Sequence, residues 1–500
     1  MQFAVTENRL SNISADVVVF FAYQGKKNYQ LASEVKQLPK KLQEEVISQL
    51  ELDQFEGKKG EIEFVFTHNT ILAPRVAVVG LGEKKDVTHN TIREVMALLT
   101  KKINKSVNSI ATSCIVNLID IELQAQVILE GVELGTYRFA NYKERDPAEK
   151  ELEMLIVSVV DKKEQSKVSR GLATGHAYYL ATKMARDLVN EQAAIATPTL
   201  LAKVAEEIAL QNPQITCTVF DKKQLEEMGA FAFLGIARGA DTPPKFIVLE
   251  YTPKVQKIKK NVALVGKGIT FDTGGINVKP EGYMTTMKQD MAGGAAVLGV
   301  FSAMSVIKPS FPVLGIIAAT PNVVSGSSIV PGDVVHAMNG KSIEVNHTDA
   351  EGRVTLADSL SYAVQKKATE IIDLATLTGA CMVGLGTDIA GVMGNDTDLI
   401  ENLKKASIAS GEKIWELPLP DEYKELNKSE VADVSNLPSS RYGGAITAGL
   451  FLQEFVDNTP WAHIDIAGPA FAEREYRYGQ KGGTGFGVRL LLNYLRNSKS

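Results

Sequence analysis

VGKGITFDTGGINVKP, Val265 to Pro280, decides the reading of this chain. An apolar, β-branched run from Asn261 to Val265 leads into it, and a glycine-rich turn follows. Lys267 and Asp272 are therefore expected just past the end of a buried strand, where open α/β sheets place their ligands. A second segment, NHTDAEGR (Asn346 to Arg353), sets Asp349 and Glu351 two apart ahead of a helix-like run, Val354 to Gln365. Both acids can face one site only if the backbone bends there, and Gly352 is the residue expected to permit the bend.

Outward from this centre, strand patterns fall at Phe246 to Tyr251, Val262 to Val265, Val313 to Ala319, Glu370 to Leu374, Ile389 to Met393 and Ala462 to Ile466. Helical spacing falls at Thr199 to Gln211, Gly293 to Ser305, Val354 to Gln365, Thr397 to Ser410, Ala445 to Asp457 and Gly487 to Arg496. The crossover spacings predict that residues 191–500 form an α/β domain with a largely parallel central sheet flanked by helices. Residues 1–160 read as a smaller N-terminal α/β domain. Its strands are expected at Asp16 to Ala22, Ile62 to Phe66, Arg75 to Gly80, Ser109 to Val116 and Met154 to Val160, and its helices at Leu38 to Leu52, Asn90 to Asn104 and Leu123 to Tyr137. Residues 161–190, with no proline and apolar positions at helical spacing, read as a long helix joining the two.

The chain has 500 residues, 45% of them hydrophobic and 23% charged, which suits two domains with cores of their own. A formal net charge of -5 offers no general attraction to nucleic acid or to an anionic membrane. Cys114, Cys217 and Cys381 lie far apart in apolar surroundings with no CxxC pairing, which points to a reducing compartment. No segment reaches about 18 uninterrupted apolar residues and no signal-like start is present, so a cytoplasmic location is the default expectation.

Asp272, Asp290, Asp349 and Glu351 all occupy turn-rich positions. Buried together they would repel strongly unless cations neutralised them, and two divalent ions supply that charge. Oxygen-rich ligation suits magnesium or manganese, and zinc also accepts carboxylate. The alternative is that these acids cap helices and brace turns. Lys267 and Lys279 flank Asp272. Beside metal ions one lysine can lose its proton and ligate while another stays charged and stabilises an oxyanion; otherwise both are solvated surface charges. Gly340 to Ser342 resembles the end of a phosphate loop, but Val335 stands where its first glycine belongs. GGTGFG (Gly482 to Gly487) is either an anion cradle or a tight turn that docks the last helix.

VGKGITFDTGG, MKQDMAGGAA, TDAEGR and DLATLTGA (Asp373 to Ala380), in that order, resemble the signatures of the leucyl aminopeptidase family of two-metal exopeptidases, over about Ala185 to Tyr494. The resemblance implies that Lys267, Asp272, Asp290 and Glu351 hold one metal and Asp272, Asp349 and Glu351 a second, manganese or zinc, with Asp349 also able to ligate through its backbone carbonyl. It implies that Lys279 polarises the scissile carbonyl and that Arg353 holds a bicarbonate serving as proton shuttle. Met287, Thr376, Leu377 and Gly379 would line an apolar pocket for the N-terminal side chain, giving broad activity with a leucine-like preference on short peptides that have a free N-terminus. A homohexamer with its sites facing an interior cavity is implied as well. Two narrower or different roles stand beside this reading: a Cys-Gly dipeptidase, and a non-catalytic DNA-binding or scaffold protein, against which the acidic balance and the full set of metal and lysine positions argue.

The sequence departs from the family pattern at His347, where asparagine is usual. An imidazole there either reshapes substrate placement or adds a ligand. Asn190 to Thr197 (NEQAAIAT) also lacks the prolines usual at this junction.

Overall fold

The computed structural model describes residues 1–25, 29–103, 107–115, 118–144, 151–159, 161–255 and 259–498. Asn104, Val116 and Val160, at the ends of three expected elements, lie outside them. The chain divides into two compact units, one of Met1–Tyr179 with Arg474–Gln480, the other of Leu180–Glu473 with Lys481–Ser500. The division falls inside a continuous helix, Gln165–Asn190.

The first unit is an α/β sheet in the strand order Gln2–Thr6, Met154–Ser158, Ser109–Ser113, Val17–Gln24, Arg75–Glu83, Ile62–Phe66, with Tyr29–Leu31 paired to Val17–Gln24. Its first five strands run parallel and Ile62–Phe66 runs antiparallel. Val17, Val19 and Phe21 pack into one core and Val18, Phe20 and Ala22 into another, so this central strand is covered on both faces. Gln2–Thr6 escapes a reading by pattern because it is short and only half-buried.

The second unit carries an eight-stranded mixed sheet, in the order Lys413–Glu416, Ile389–Gly394, Trp461–Asp465, Glu370–Ala375, Val262–Asp272, Val313–Asn322, Lys245–Tyr251, Ile215–Phe220. The four strands from Trp461–Asp465 to Val313–Asn322 are mutually parallel. Antiparallel pairing begins outside them on both sides. The expected largely parallel centre is present. Ile215–Phe220 had no strand signal because, as an edge strand with Thr216 and Thr218 exposed and Cys217 half-buried, it needs no apolar run.

One expectation is corrected here. The strand does not stop at Val265: it spans Val262–Asp272, so Lys267 lies inside it. On one side its ladder with Val313–Asn322 continues through a bulge to the pair Asp272 and Asn322, whereas on the other the ladder with Glu370–Ala375 ends at Gly266 and Leu374. Lys267 is the first residue without a ladder partner on that second side.

The helix Glu351–Gln365 packs on this sheet and carries Asp358, which is fully buried. One of its oxygens accepts the Phe233 N–H at the start of the helix Phe231–Ala237 (2.7 Å), and the other accepts the Met338 N–H (2.8 Å). The carboxylate therefore caps a helix that has no cap of its own. Burial pushes the Asp358 pKa up to about 7 against the pull of these donors. The folded state then holds a proton more tightly than the unfolded chain, so the contribution of this group to stability is full below the ordinary carboxylate range and is lost as pH rises through about 7. Asp358→Ala should lower unfolding stability by about 1 to 3 kcal/mol, the cost of leaving buried N–H groups unpaired. In denaturant titrations the gap between parent and variant should narrow as pH is raised from about 5 to about 8; a gap that widens would contradict this account.

Candidate active site

Each of the four parallel strands delivers a polar residue at or just beyond its C-terminal end: Asp272, Asn322, Thr376 and Asp465. Helix starts bring the rest. Asp290 stands in the turn Met287–Met291 directly before the helix Ala292–Ser302, and Glu351 is the first residue of its helix. Both positions favour a carboxylate, since the partial positive charge of a helix N-terminus lies there. The Ala292–Ser302 helix comes this near because of Gly293, where a Cβ would lie 2.0 Å from the Leu374 carbonyl oxygen and 2.9 Å from the Lys267 nitrogen.

The side chains converge. Carboxylate oxygens of Asp272, Asp290 and Glu351 all lie within 4.8 Å of one another, and all three residues are buried. At an effective dielectric of about 20, like charges at such a distance repel by about 3 to 4 kcal/mol per pair. The Lys267 ammonium, also buried, sits 2.8 Å from both Asp290 oxygens, 2.9 Å from Glu351 Oε1 and 3.0 Å from the Thr376 carbonyl. Lys279 lies 2.7 Å from Asp272 Oδ2 and 2.5 Å from Asp349 Oδ1, which ties Asp349 to the cluster.

Two ammonium groups do not satisfy four carboxylates. Asp290 Oδ2, Asp349 Oδ1 and Glu351 Oε1 are near a lysine without hydrogen-bond geometry, and Glu351 Oε2 has no partner at all. Burial drives the Asp272 and Asp290 pKa values up, and the neighbouring Glu351 charge adds to the rise. Burial acts on Glu351 too, but Lys267 and Lys279 outweigh it and hold that carboxyl below its usual range. Burial disfavours the charge on both lysines, yet the surrounding carboxylates raise their pKa values well above normal. Such a cluster is short of positive charge and offers unsatisfied oxygens, and hard divalent cations fit both conditions.

The bend expected at Gly352 lies elsewhere. Gly352 is helical, and the change of direction comes from the short turn Thr348–Ala350, after which Ala350 leads into the helix. Glycine is needed at 352 for space: a Cβ there would lie 2.4 Å from Lys267 Cε and 2.7 Å from its Nζ. His347 Nδ1 accepts the Asp349 N–H at 3.3 Å, capping that turn. Arg353 donates from Nη1 to the Asn436 carbonyl (3.0 Å), its buried Nε has no partner, and burial lowers its pKa to about 10. Among the pocket residues, Thr376 Oγ1 donates to Asp290 Oδ1 (2.7 Å), and Met287 shares the turn of Asp290. Leu377 packs on the core below, while Gly379 is exposed at the start of the helix Gly379–Leu385.

Asp465 was missed by pattern. It is fully buried and accepts N–H groups from Leu377 (3.2 Å) and Ala467 (3.1 Å) and the Thr378 hydroxyl (2.6 Å), anchoring the loop that carries Thr376. Its signal is the polar alternation of His463 and Asp465 in an otherwise apolar strand. The other two motifs resolve as ordinary turns. Gly340 lies between the paired strands Asp333–His336 and Ser342–Val345, and the helix after GGTGFG has its first N–H groups, on Gly487 and Leu490, occupied by Glu412.

A family model described as "Cytosol aminopeptidase family, catalytic domain" matches residues 183–492, and one described as "Cytosol aminopeptidase family, N-terminal domain" matches residues 17–146. The chain is similar to a "Probable cytosol aminopeptidase" of Aquifex aeolicus (strain VF5), 45% identical over 454 residues and covering 90% of each chain. Its likeness to the corresponding protein of Alkaliphilus oremlandii (strain OhILAs) is 38% over 502 residues, 99% of each. Among solved structures it resembles a mutant of tomato leucine aminopeptidase (TM-score 0.89, 32% identity, 100% of this chain and 97% of that one). It also resembles the bottromycin maturation enzyme BotP in complex with Mn (TM-score 0.84, 32% identity, 96% and 99%).

The contact between Gly352 and Lys267 reverses an ordinary expectation. Gly→Ala in a helix normally stabilises by about 0.4 to 1 kcal/mol. Gly352→Ala should instead destabilise by about 3 kcal/mol or more in metal-free protein, because it pushes a buried ammonium off its carboxylates. In a Lys267→Ala background the same change should cost nothing; an equal cost in both backgrounds, measured by thermal unfolding, would show that the contact is not the reason.

Proposed function

This chain belongs to the cytosol aminopeptidase family and is a metallo-aminopeptidase, and from that premise we propose a two-metal hydrolysis of the N-terminal residue from short peptides, with a broad, leucine-like preference. The observation that carries it is the buried trio Asp272, Asp290 and Glu351, with the half-buried Asp349 beside it and unsatisfied oxygens around Lys267 and Lys279. Lys267, Asp272, Asp290 and Glu351 would hold one divalent ion, manganese or zinc, and Asp272, Asp349 and Glu351 the other, so that Asp272 and Glu351 serve both. When bound, such ions supply an activated water, an anchor for the substrate's free α-amine and positive charge opposite the developing oxyanion.

The remaining work falls to the chain. Lys267 would hold its ion through the amine, which requires it to give up the proton that the carboxylates now hold on it. Lys279 keeps its proton, since two carboxylates favour the charge, and donates to the carbonyl oxygen as that oxygen becomes negative. Arg353 offers a buried, unpartnered Nε to an anion, and a bicarbonate held there would supply the base that passes the water proton to the leaving amine. The products balance as a free amino acid and a peptide shortened by one residue. The loop anchored by Asp465 sets Thr376, Leu377 and Gly379 beside this centre, and with Met287 they form the pocket for the departing side chain. His347 engages Nδ1 with the Asp349 N–H, so in the neutral ring Nε2 carries the proton and acts as a donor toward substrate, not as a metal ligand. Assembly as a homohexamer and a cytoplasmic location belong to the same proposal; among the described residues no helix is long and apolar enough to cross a membrane.

The direct test is release of leucine from an unblocked peptide but not from its N-acetylated form, abolished by chelation and restored by manganese or zinc. Lys279→Met should lower kcat by about 100- to 1,000-fold, the scale of one lost oxyanion donor, with bound metal retained. Activity toward the blocked peptide, or full activity after chelation, would sink the reading. For His347→Asn on a panel of aminoacyl amides, at least one ratio of kcat/KM should shift by about tenfold; an unchanged panel would remove His347 from the specificity site.

A further inference from the structure

Asn322, the last residue of the strand Val313–Asn322, is buried and lies one strand away from the carboxylates. Its side-chain amide donates to Asp272 Oδ1 (2.8 Å) and to the Thr348 carbonyl (3.0 Å). Both partners are acceptors only, so the NH2 group must face them and the orientation of the amide is chemically fixed. The Gly274 N–H also donates to Asp272 Oδ1 (2.8 Å). Two donors thus occupy Oδ1, so Oδ2, which Lys279 meets at 2.7 Å, is the oxygen a divalent cation would share.

The second amide hydrogen reaches the residue before Asp349, on a different segment of the chain. Thr348 is further locked to the glycine turn: its hydroxyl donates to the Gly274 carbonyl (2.7 Å), and its N–H donates to Asn277 Oδ1 (2.8 Å). Asn322 touches both the strand bearing Asp272 and the turn bearing Asp349, and it holds Asp272 by Oδ1 while Lys279 meets Oδ2. We propose that Asn322 is a positioning residue for the metal centre, which fixes the rotation of Asp272 and the distance of Asp349 from it, so that the two carboxylates are prearranged for a shared divalent ion. The proposal rests on the two-metal reading given above.

The test compares full-length parent, Asn322→Ala and Asn322→Ser after chelator treatment. Mn2+ binding is followed by the electron paramagnetic resonance of the free ion, and thermal unfolding is recorded without metal. The alanine variant should bind Mn2+ about 10- to 100-fold more weakly, the usual range for loss of a group that orients a ligand. The serine variant, which keeps one donor, should fall between it and the parent. Affinities equal to the parent with only a lower metal-free unfolding temperature would make Asn322 a brace of the fold and overturn the proposal. Failure of both variants to fold, while metal-free parent folds, would overturn it in the same way. A parent that binds no Mn2+ would overturn the two-metal reading itself.

Discussion

A lysine ammonium in the middle of a buried strand is the constraint from which the second unit follows. Lys267 is buried away from solvent, so carboxylates must reach it, and they come from a turn before one helix and from the first residue of another. Those carboxylates overshoot. With Asp272 and Asp349 they bring more negative charge than the two lysines cancel, and the excess, held in place by surrounding backbone N–H groups and amides, is what a divalent cation answers. Stability and ion binding are opposed here, because the arrangement that attracts a cation is strained by repulsion without one.

The glycines at 293 and 352 serve that geometry through space rather than flexibility. Each lets a helix start lie against Lys267, one against its backbone and one against its side-chain tip. The helix Glu351–Gln365 is fixed from its middle as well, since Asp358 pins a neighbouring helix and a loop to it. The position of Glu351 is therefore set by contacts two turns away from the chemistry.

Much of this was legible in the sequence. Strongly apolar strands such as Val313–Asn322 and Glu370–Ala375 announce themselves because both faces of a central parallel strand are covered. The convergence of Asp272, Asp290, Asp349 and Glu351 could be suspected from their glycine-rich settings, and the order of the motifs pointed to the family. What pattern could not show was register. That Lys267 lies within the strand depends on how far one neighbour extends and where the other stops, and the roles of Asn322 and Asp465 depend on which strand ends become adjacent. A lone asparagine after Thr320 and Pro321 has no meaning until Asp272 is placed opposite it. The misreading of Gly352 has the same origin, for its neighbour is 85 positions earlier in the chain.

The strand order has a consequence for the timing of activity. The loop carrying Thr376 is held by Asp465, which lies on a strand inserted between Glu370–Ala375 and Ile389–Gly394 although it comes last of the three in the chain. A polypeptide still on the ribosome lacks this anchor until Asp465 has followed the two neighbouring strands out. Contacts of such long range also form slowly. The loop that carries Thr376 is thereby completed only when a strand made later in the chain has inserted beside it.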